Sequence, residues 1–207
     1  MKNKKSRIII LTMWLILLCI CISFLFWHNE YKYSLPTPIP SNYHAVSMGE
    51  YIHINNKVIE RNNKPVFLHF FNPDCPCSRF NIPHVKSLVK QYGSKANFAL
   101  VVLTDDEDYT VEKIQDKFNL KIPVLFDTSI ATFCGVYSTP QAALLTPDGN
   151  LYYRGNYNKS RYCTDKKTNY AQIALDSLLH NSKTPSFDKN ASTAYGCELI
   201  SNCVKPK

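Results

Sequence analysis

The sequence predicts an α/β sandwich with a mixed central sheet, following one N-terminal transmembrane helix. Three observations carry this. Residues 8–27 form an apolar run without a charged side chain. From Lys64 onward, short apolar runs alternate with amphipathic segments of helical spacing. The alternation closes on a hairpin signal, Pro147-Asp148-Gly149-Asn150, and a last amphipathic stretch. Strand–helix alternation ending in a hairpin and a helix builds a mixed sheet covered by helices.

The N-terminal run is 20 residues, Ile8 to Trp27, and about 20 are needed to cross a hydrocarbon core of roughly 30 Å. Lys2, Lys4, Lys5 and Arg7 precede it, so the positive-inside rule keeps the start in the cytoplasm and sends the remainder across. Trp27 and Tyr31 suit the far interface. No small-x-small site follows the run, which favours an uncleaved anchor over a signal peptide. Cys19 and Cys21 then face lipid. The expected place is the cytoplasmic (inner) membrane, crossed once, with the C-terminal domain on the periplasmic, extracytoplasmic side.

The chain divides into a basic tail (1–7), the anchor (8–27), a Pro-containing spacer and domain entry (28–57), the α/β domain (58–181) and a Cys-containing tail (182–207). Pro36, Pro38 and Pro40 exclude a helix in the spacer. The net charge of +8 is modest once the anchor's basic flank is set aside. No Lys/Arg cluster interleaved with aromatics stands out, which argues against a nucleic-acid partner. The chain shows no internal repeat.

The elements follow in order. Val66–Phe71 is a buried strand, and residues 79–92 a helix stopping at Gly93. Asn97–Leu103 is a second buried strand, and Thr110–Phe118 a helix with Val111, Ile114 and Phe118 on one face. Ile122–Phe126 is a short strand and Ser129–Tyr137 a short helix. Gln141–Leu145 and Leu151–Arg154 are strands joined by the hairpin turn. Tyr170–Leu179 is the last helix, and beyond His180 the polar chain reads as irregular.

Chemistry concentrates where the first strand hands over to its helix, in Phe70-Phe71-Asn72-Pro73-Asp74-Cys75-Pro76-Cys77-Ser78. Two thiols sit at a helix start, whose free N–H groups and positive dipole end stabilise a thiolate. The thiolate is the form that attacks disulfides and binds metals.

This segment resembles the active-site region of the thioredoxin-like superfamily, especially its membrane-anchored, exported thiol–disulfide oxidoreductases and the neighbouring AhpC/TSA-like, peroxiredoxin-like branch. Pro83 falls where those proteins carry a helix proline. Ser138-Thr139-Pro140-Gln141, running on to Asp148-Gly149, is similar to their cis-proline segment. The resemblance covers roughly residues 58–180. It implies a thioredoxin-like fold, no organic cofactor, Cys75 as nucleophile and Pro140 in cis facing it. The motif departs from the family: Ser78 stands where the resolving cysteine belongs, giving a Cys-x-Cys-Ser variant.

Cys77 is therefore the first candidate to resolve a mixed disulfide on Cys75, and a distal cysteine the second. His69 lies on the strand where relatives carry a proton-relaying acid, so a histidine there would move protons near neutral pH. Asp74 would raise the Cys75 pKa and Arg79 offset it, although both also read as solvated turn residues; His84 reads as a surface residue. Cys134, Cys163, Cys197 and Cys203 are candidates for structural disulfides, Cys197–Cys203 and Cys163 with a tail cysteine among them, or for the distal resolver. The expected function is membrane-tethered exchange on exported protein disulfides, with protein thiols and a separate redox protein as partners. The alternatives are a module handling Cu or Zn through Cys75 and Cys77, with His69 or His84 as third ligand, and a thiol peroxidase. Asn72, where peroxidases place Thr or Ser, speaks against the last.

Overall fold

The structure is a computed structural model, and it describes residues 2–54, 62–180, 182 and 185–199. Two units separate, Met1–Leu35 and Pro36–Lys207.

The first unit is one long helix, α1 (Lys2–Asn29), followed by a 3-10 turn at Tyr31–Ser34. Its apolar side chains, Ile8 to Trp27, are exposed. The helix is long and apolar enough to cross a membrane. It runs two residues beyond the predicted span and into the expected spacer.

The second unit is built on β1 (Val66–Phe71), α2 (Pro76–Tyr92), β2 (Asn97–Val102), α3 (Val111–Phe118), β3 (Val124–Leu125), α4 (Ser129–Phe133), β4 (Ser138–Thr139), β5 (Gln141–Leu145), β6 (Leu151–Gly155), α5 (Tyr170–Leu179), α6 (Lys189–Ser192) and β7 (Cys197–Glu198). Five strands form one sheet in the order β3-β2-β1-β5-β6. β1 pairs parallel to β2 and antiparallel to β5, with His69 opposite Leu100 on one side and Ala142 on the other. β4 and β7 form a separate antiparallel pair.

The pleat sorts the core. Phe67 and Phe71 join Val85 and Leu88 of α2, Ile114 of α3 and Ala174 and Leu175 of α5. Val66, Leu68 and Phe70 join Ile130 and Ala131 of α4 and Ile52 of the entry segment on the other face. Each fully buried side chain of this size contributes roughly 1.5–3 kcal/mol. A mixed five-strand sheet with helices on both faces is the thioredoxin-like sandwich that the resemblance implies.

Several predicted bounds shift for local reasons. α2 begins at Pro76, because a proline at the first helical position gives up an N–H that has no intrahelical partner anyway. Gly93 stops α2 in right-handed geometry, its N–H on Val89 O, without the left-handed turn expected of it. α4 ends at Phe133 because the chain reverses at Gly135, φ +67°, and Val136 N–H returns to Ala131 O.

The spacer and the tail also differ from expectation. Pro36 bridges Tyr195, and Thr37 N–H donates to Ala194 O, so the proline stretch joins the domain at its first residues. The tail is not irregular. Asn156, fully buried on the loop after β6, donates through Nδ2 to Asn190 O and Thr193 O and fixes α6. Tyr170 Oη donates to Asp188 at the α6 N-cap. From there β7 crosses to β4.

Candidate active site

Cys75 is the N-cap residue of α2 and is buried. The β1 strand delivers it through a tight turn: Asp74 N–H donates to Asn72 Oδ1, and Cys75 N–H to Asn72 O. Its sulfur is bonded to Cys197, 122 residues away, with the Cα atoms 6.2 Å apart. The first candidate resolver, Cys77, is buried and is not part of a disulfide. Cys197 thus pairs with the helix-start cysteine, and the expected Cys197–Cys203 bridge is corrected. Cys203 itself lies outside the described residues.

The Thr139–Pro140 bond is cis, as the resemblance implies. Thr139 O lies 3.7 Å from Cys75 Sγ. Thr139 is also the register partner of Cys197 across β4–β7. Ser138 Oγ, fully buried, points at Cys197 O (3.1 Å) and Tyr195 O (3.2 Å) and meets Thr37 Oγ1 at 2.9 Å. Nucleophile, cis-proline segment and tail therefore converge at one point.

Cys77 lies one residue into α2 and faces Arg161, whose Nη1 is 3.9 Å from its sulfur. Arg161 is buried between the rings of Phe80 and Tyr162, 4.9 and 5.0 Å from their centres. Cys163 follows in left-handed geometry, φ +52°, and its thiol donates to Asn81 Oδ1 at 3.0 Å. Burial pushes the Cys163 thiol up to about 12. Cys134, wholly enclosed, is also pushed up to about 12, against the weaker opposing pull of Arg154. Neither is paired, so the expected structural bridges through Cys134 and Cys163 are corrected too. Thiols so protonated attack slowly.

His69 is buried, with Nδ1 2.8 Å from the Tyr157 hydroxyl. Burial first, and the neighbouring His84 second, push its pKa down to about 3. Its ring is therefore neutral across the physiological range in this state, not poised to titrate near pH 7. His84 is half-buried, packs edge-on against Tyr157 at 5.9 Å and is likewise lowered by burial. It is not the surface residue expected. Tyr157, fully buried, stays protonated. Asp74 is an exposed turn residue that accepts from Tyr109 Oη, as the blander expectation has it; Arg79 is exposed too, but it lies in the first turn of α2 and not in the turn before it.

Arg161, Ser138 and Tyr157 escape sequence reasoning. Arg161 and Tyr157 sit in loops with no periodicity and belong to no motif, and Ser138, although part of the cis-proline segment, carries no signal there for its contacts with the tail. Among the described residues, no group of three or more His, Cys, Asp or Glu side chains is placed to hold a metal.

The chain is 24% identical over 94 residues to the thiol-disulfide oxidoreductase ResA of Halalkalibacterium halodurans. That match covers 44% of this chain and 53% of the relative, so the chain spans about half of that relative's length. It is 22% identical over 152 residues to ResA of Geobacillus thermodenitrificans, covering 72% of this chain and 87% of that one. Among solved structures it superposes on a hypothetical protein from Sinorhizobium meliloti 1021 with a TM-score of 0.61, at 15% identity, over 76% of this chain and 96% of that one. That likeness concerns the fold. One family model matches residues 44–199, and the chain accordingly belongs to the family described as a domain of unknown function, DUF6436.

Proposed function

We propose that this chain is a thiol–disulfide oxidoreductase, tethered through residues 8–27 to the cytoplasmic membrane and acting on exported protein disulfides through Cys75, with Cys197 as its resolving cysteine. The observation that carries the reading is the Cys75–Cys197 bond at the α2 N-terminus, beside Thr139 and Pro140. Two curated relatives named thiol-disulfide oxidoreductase support the reaction class.

In the reducing direction, the Cys75 thiolate attacks one sulfur of a substrate disulfide. The substrate S–S bond breaks, a mixed disulfide forms on Cys75, and the other substrate sulfur leaves as a thiolate. The Cys197 thiolate then attacks Cys75 Sγ, the mixed disulfide breaks, and the second substrate sulfur leaves. The product is the Cys75–Cys197 bond seen here. A dithiol partner protein resets it, and the same steps in reverse oxidise a dithiol. The amides at the start of α2 favour the Cys75 thiolate as attacker and as leaving group. Pro140 shapes the backbone facing Cys75, and Arg161 places its positive charge beside Cys77.

The test is insulin-disulfide reduction by the full chain with dithiothreitol as electron source. Cys75→Ser abolishes the activity. Cys197→Ser accumulates a mixed disulfide on Cys75, detected by non-reducing electrophoresis and peptide mass mapping. Wild-type turnover by Cys75→Ser would sink the proposal. Trapping by Cys77→Ser in place of Cys197→Ser would move the resolving role to Cys77.

A further inference from the structure

We propose that the tail segment Tyr195–Leu199 occupies the place of substrate: the β4 edge is a docking strand for an extended polypeptide whose disulfide cysteine is preceded by glycine, and the tail leaves that edge when Cys75–Cys197 is reduced. This rests on the exchange chemistry proposed above.

The geometry defines the approach to the nucleophile. Cys75 is buried, and the sulfur that reaches it belongs to a residue whose backbone is laid antiparallel on Thr139. Ser138 Oγ faces the carbonyls of Tyr195 and Cys197, which flank Gly196. A short strand edge with a side-chain donor and a covalent partner at its end is a site for strand addition by an extended chain. Any polypeptide bringing a disulfide sulfur along this path meets the same edge.

Gly196 makes the path selective. Its φ is +120°, and a Cβ placed there would sit 2.3 Å from Thr139 O. The contact is to backbone, which cannot swing aside as a flexible side chain can. A side chain in the position before the cysteine would push the strand off β4. Two residues after the cysteine, Leu199 is half-buried against the cluster that includes Ile130 and Ala131, whereas Glu198 is exposed. The tail thus spells a preferred segment: glycine, cysteine, a solvent-facing residue, then an apolar one.

The tail is also built to come away in part. α6 stays fixed through Asn156 and Asp188. Tyr195 stays fixed as well, through its hydroxyl on Asn158 O and the bridge to Pro36; the part that comes away is Gly196–Leu199, held by the β4 pairing, Ser138, the Leu199 contact and the disulfide. Opening takes two electrons from a dithiol. Its first thiolate attacks the sulfur of Cys197, a half-buried residue, the Cys75–Cys197 bond breaks, and Cys75 leaves as a thiolate. Its second thiol displaces Cys197, which takes up a proton, and the reductant ends as a disulfide.

The experiment uses full-length, reduced Cys197→Ala protein, with Cys75→Ser/Cys197→Ala subtracted to isolate the Cys75 rate. The probes are acetyl-Tyr-Gly-Cys-Glu-Leu-amide carried as its 5-thio-2-nitrobenzoate mixed disulfide, the same peptide with alanine for glycine, and Ellman's reagent alone. The glycine peptide should react with Cys75 at least tenfold faster than the alanine peptide. In a second measurement, Gly196→Ala in the otherwise wild-type chain should speed dithiothreitol reduction of Cys75–Cys197 at least fivefold, with the circular dichroism spectrum unchanged. Equal rates for the two peptides, while Ellman's reagent reacts readily at Cys75, overturn the docking inference and leave the exchange function standing. Failure of Ellman's reagent at Cys75 overturns the exchange function and the inference together.

Discussion

Thr139 and Cys197 are register partners across β4–β7, and Thr139 O also contacts the sulfur to which Cys197 is bonded. One residue therefore fixes Cys197 twice, through its backbone and through its position beside Cys75. The bond also ties the end of the described chain to the start of α2, so redox state and stability are coupled.

That coupling gives a first prediction. A link across 122 residues restricts the unfolded chain by about 4–5 kcal/mol in the chain-entropy model. Reduction with a phosphine, or Cys197→Ser, should lower unfolding stability by up to that amount. Urea denaturation of oxidised and reduced protein measures it. Identical midpoints would mean that the bond contributes no constraint.

Cys77 supplies a second prediction. It is buried against Arg161 and holds no disulfide. Cys77→Ala should leave the Cys75–Cys197 bond forming normally under air or diamide oxidation. The cost should be about 1 kcal/mol of stability, from a small cavity and a lost partner for Arg161. Tryptic mapping under non-reducing conditions reads the pairing directly. A Cys75–Cys77 bond in the wild-type protein, lost in this variant, would reverse the assignment.

The third prediction concerns the anchorage of α6. Asn156 is fully buried and supplies donors to Asn190 O and Thr193 O. Asn156→Ala strands both carbonyls, at a cost of about 2–3 kcal/mol. Hydrogen exchange should accelerate in residues 189–199 well before it does in β1 and β2. Uniform acceleration over the whole domain would show that the loss is global.

Legibility in the sequence follows the range of the signal. β5 and α5 lie within the predicted bounds because apolar runs and turn residues are local and periodic. The cis-proline segment was readable because Ser138-Thr139-Pro140 and Asp148-Gly149 keep a family's order and spacing. The Cys75–Cys197 pairing was not, since it joins a motif to a polar tail through two-residue strands that carry no period. Arg161 was missed because a lone arginine in a loop looks solvated until Phe80 and Tyr162 are seen to enclose it. His69 falls on the predicted strand, but the burial that lowers its pKa depends on long-range packing, with Tyr157 and with His84 of α2 beside it, which no local pattern shows.

His69 makes the last prediction. Its pKa is about 3 in the folded protein and about 6.5 when unfolded. The folded state therefore binds fewer protons between these values, and stability rises with pH in that window. The contribution of His69 is fully present above pH 6.5 and is lost as the pH falls toward 3. Well below pH 6.5 the slope approaches about 1.4 kcal/mol per pH unit. His84 is lowered in the same direction and adds to the slope. Urea midpoints for the oxidised protein should thus drop between pH 7 and pH 5. His69→Gln keeps a polar partner for Tyr157 and removes the titrating ring. It should be less stable at pH 7 but flatten the slope over this range. A slope unchanged by His69→Gln would show that another group governs the acid loss and that the buried His69 ring gains its proton without cost.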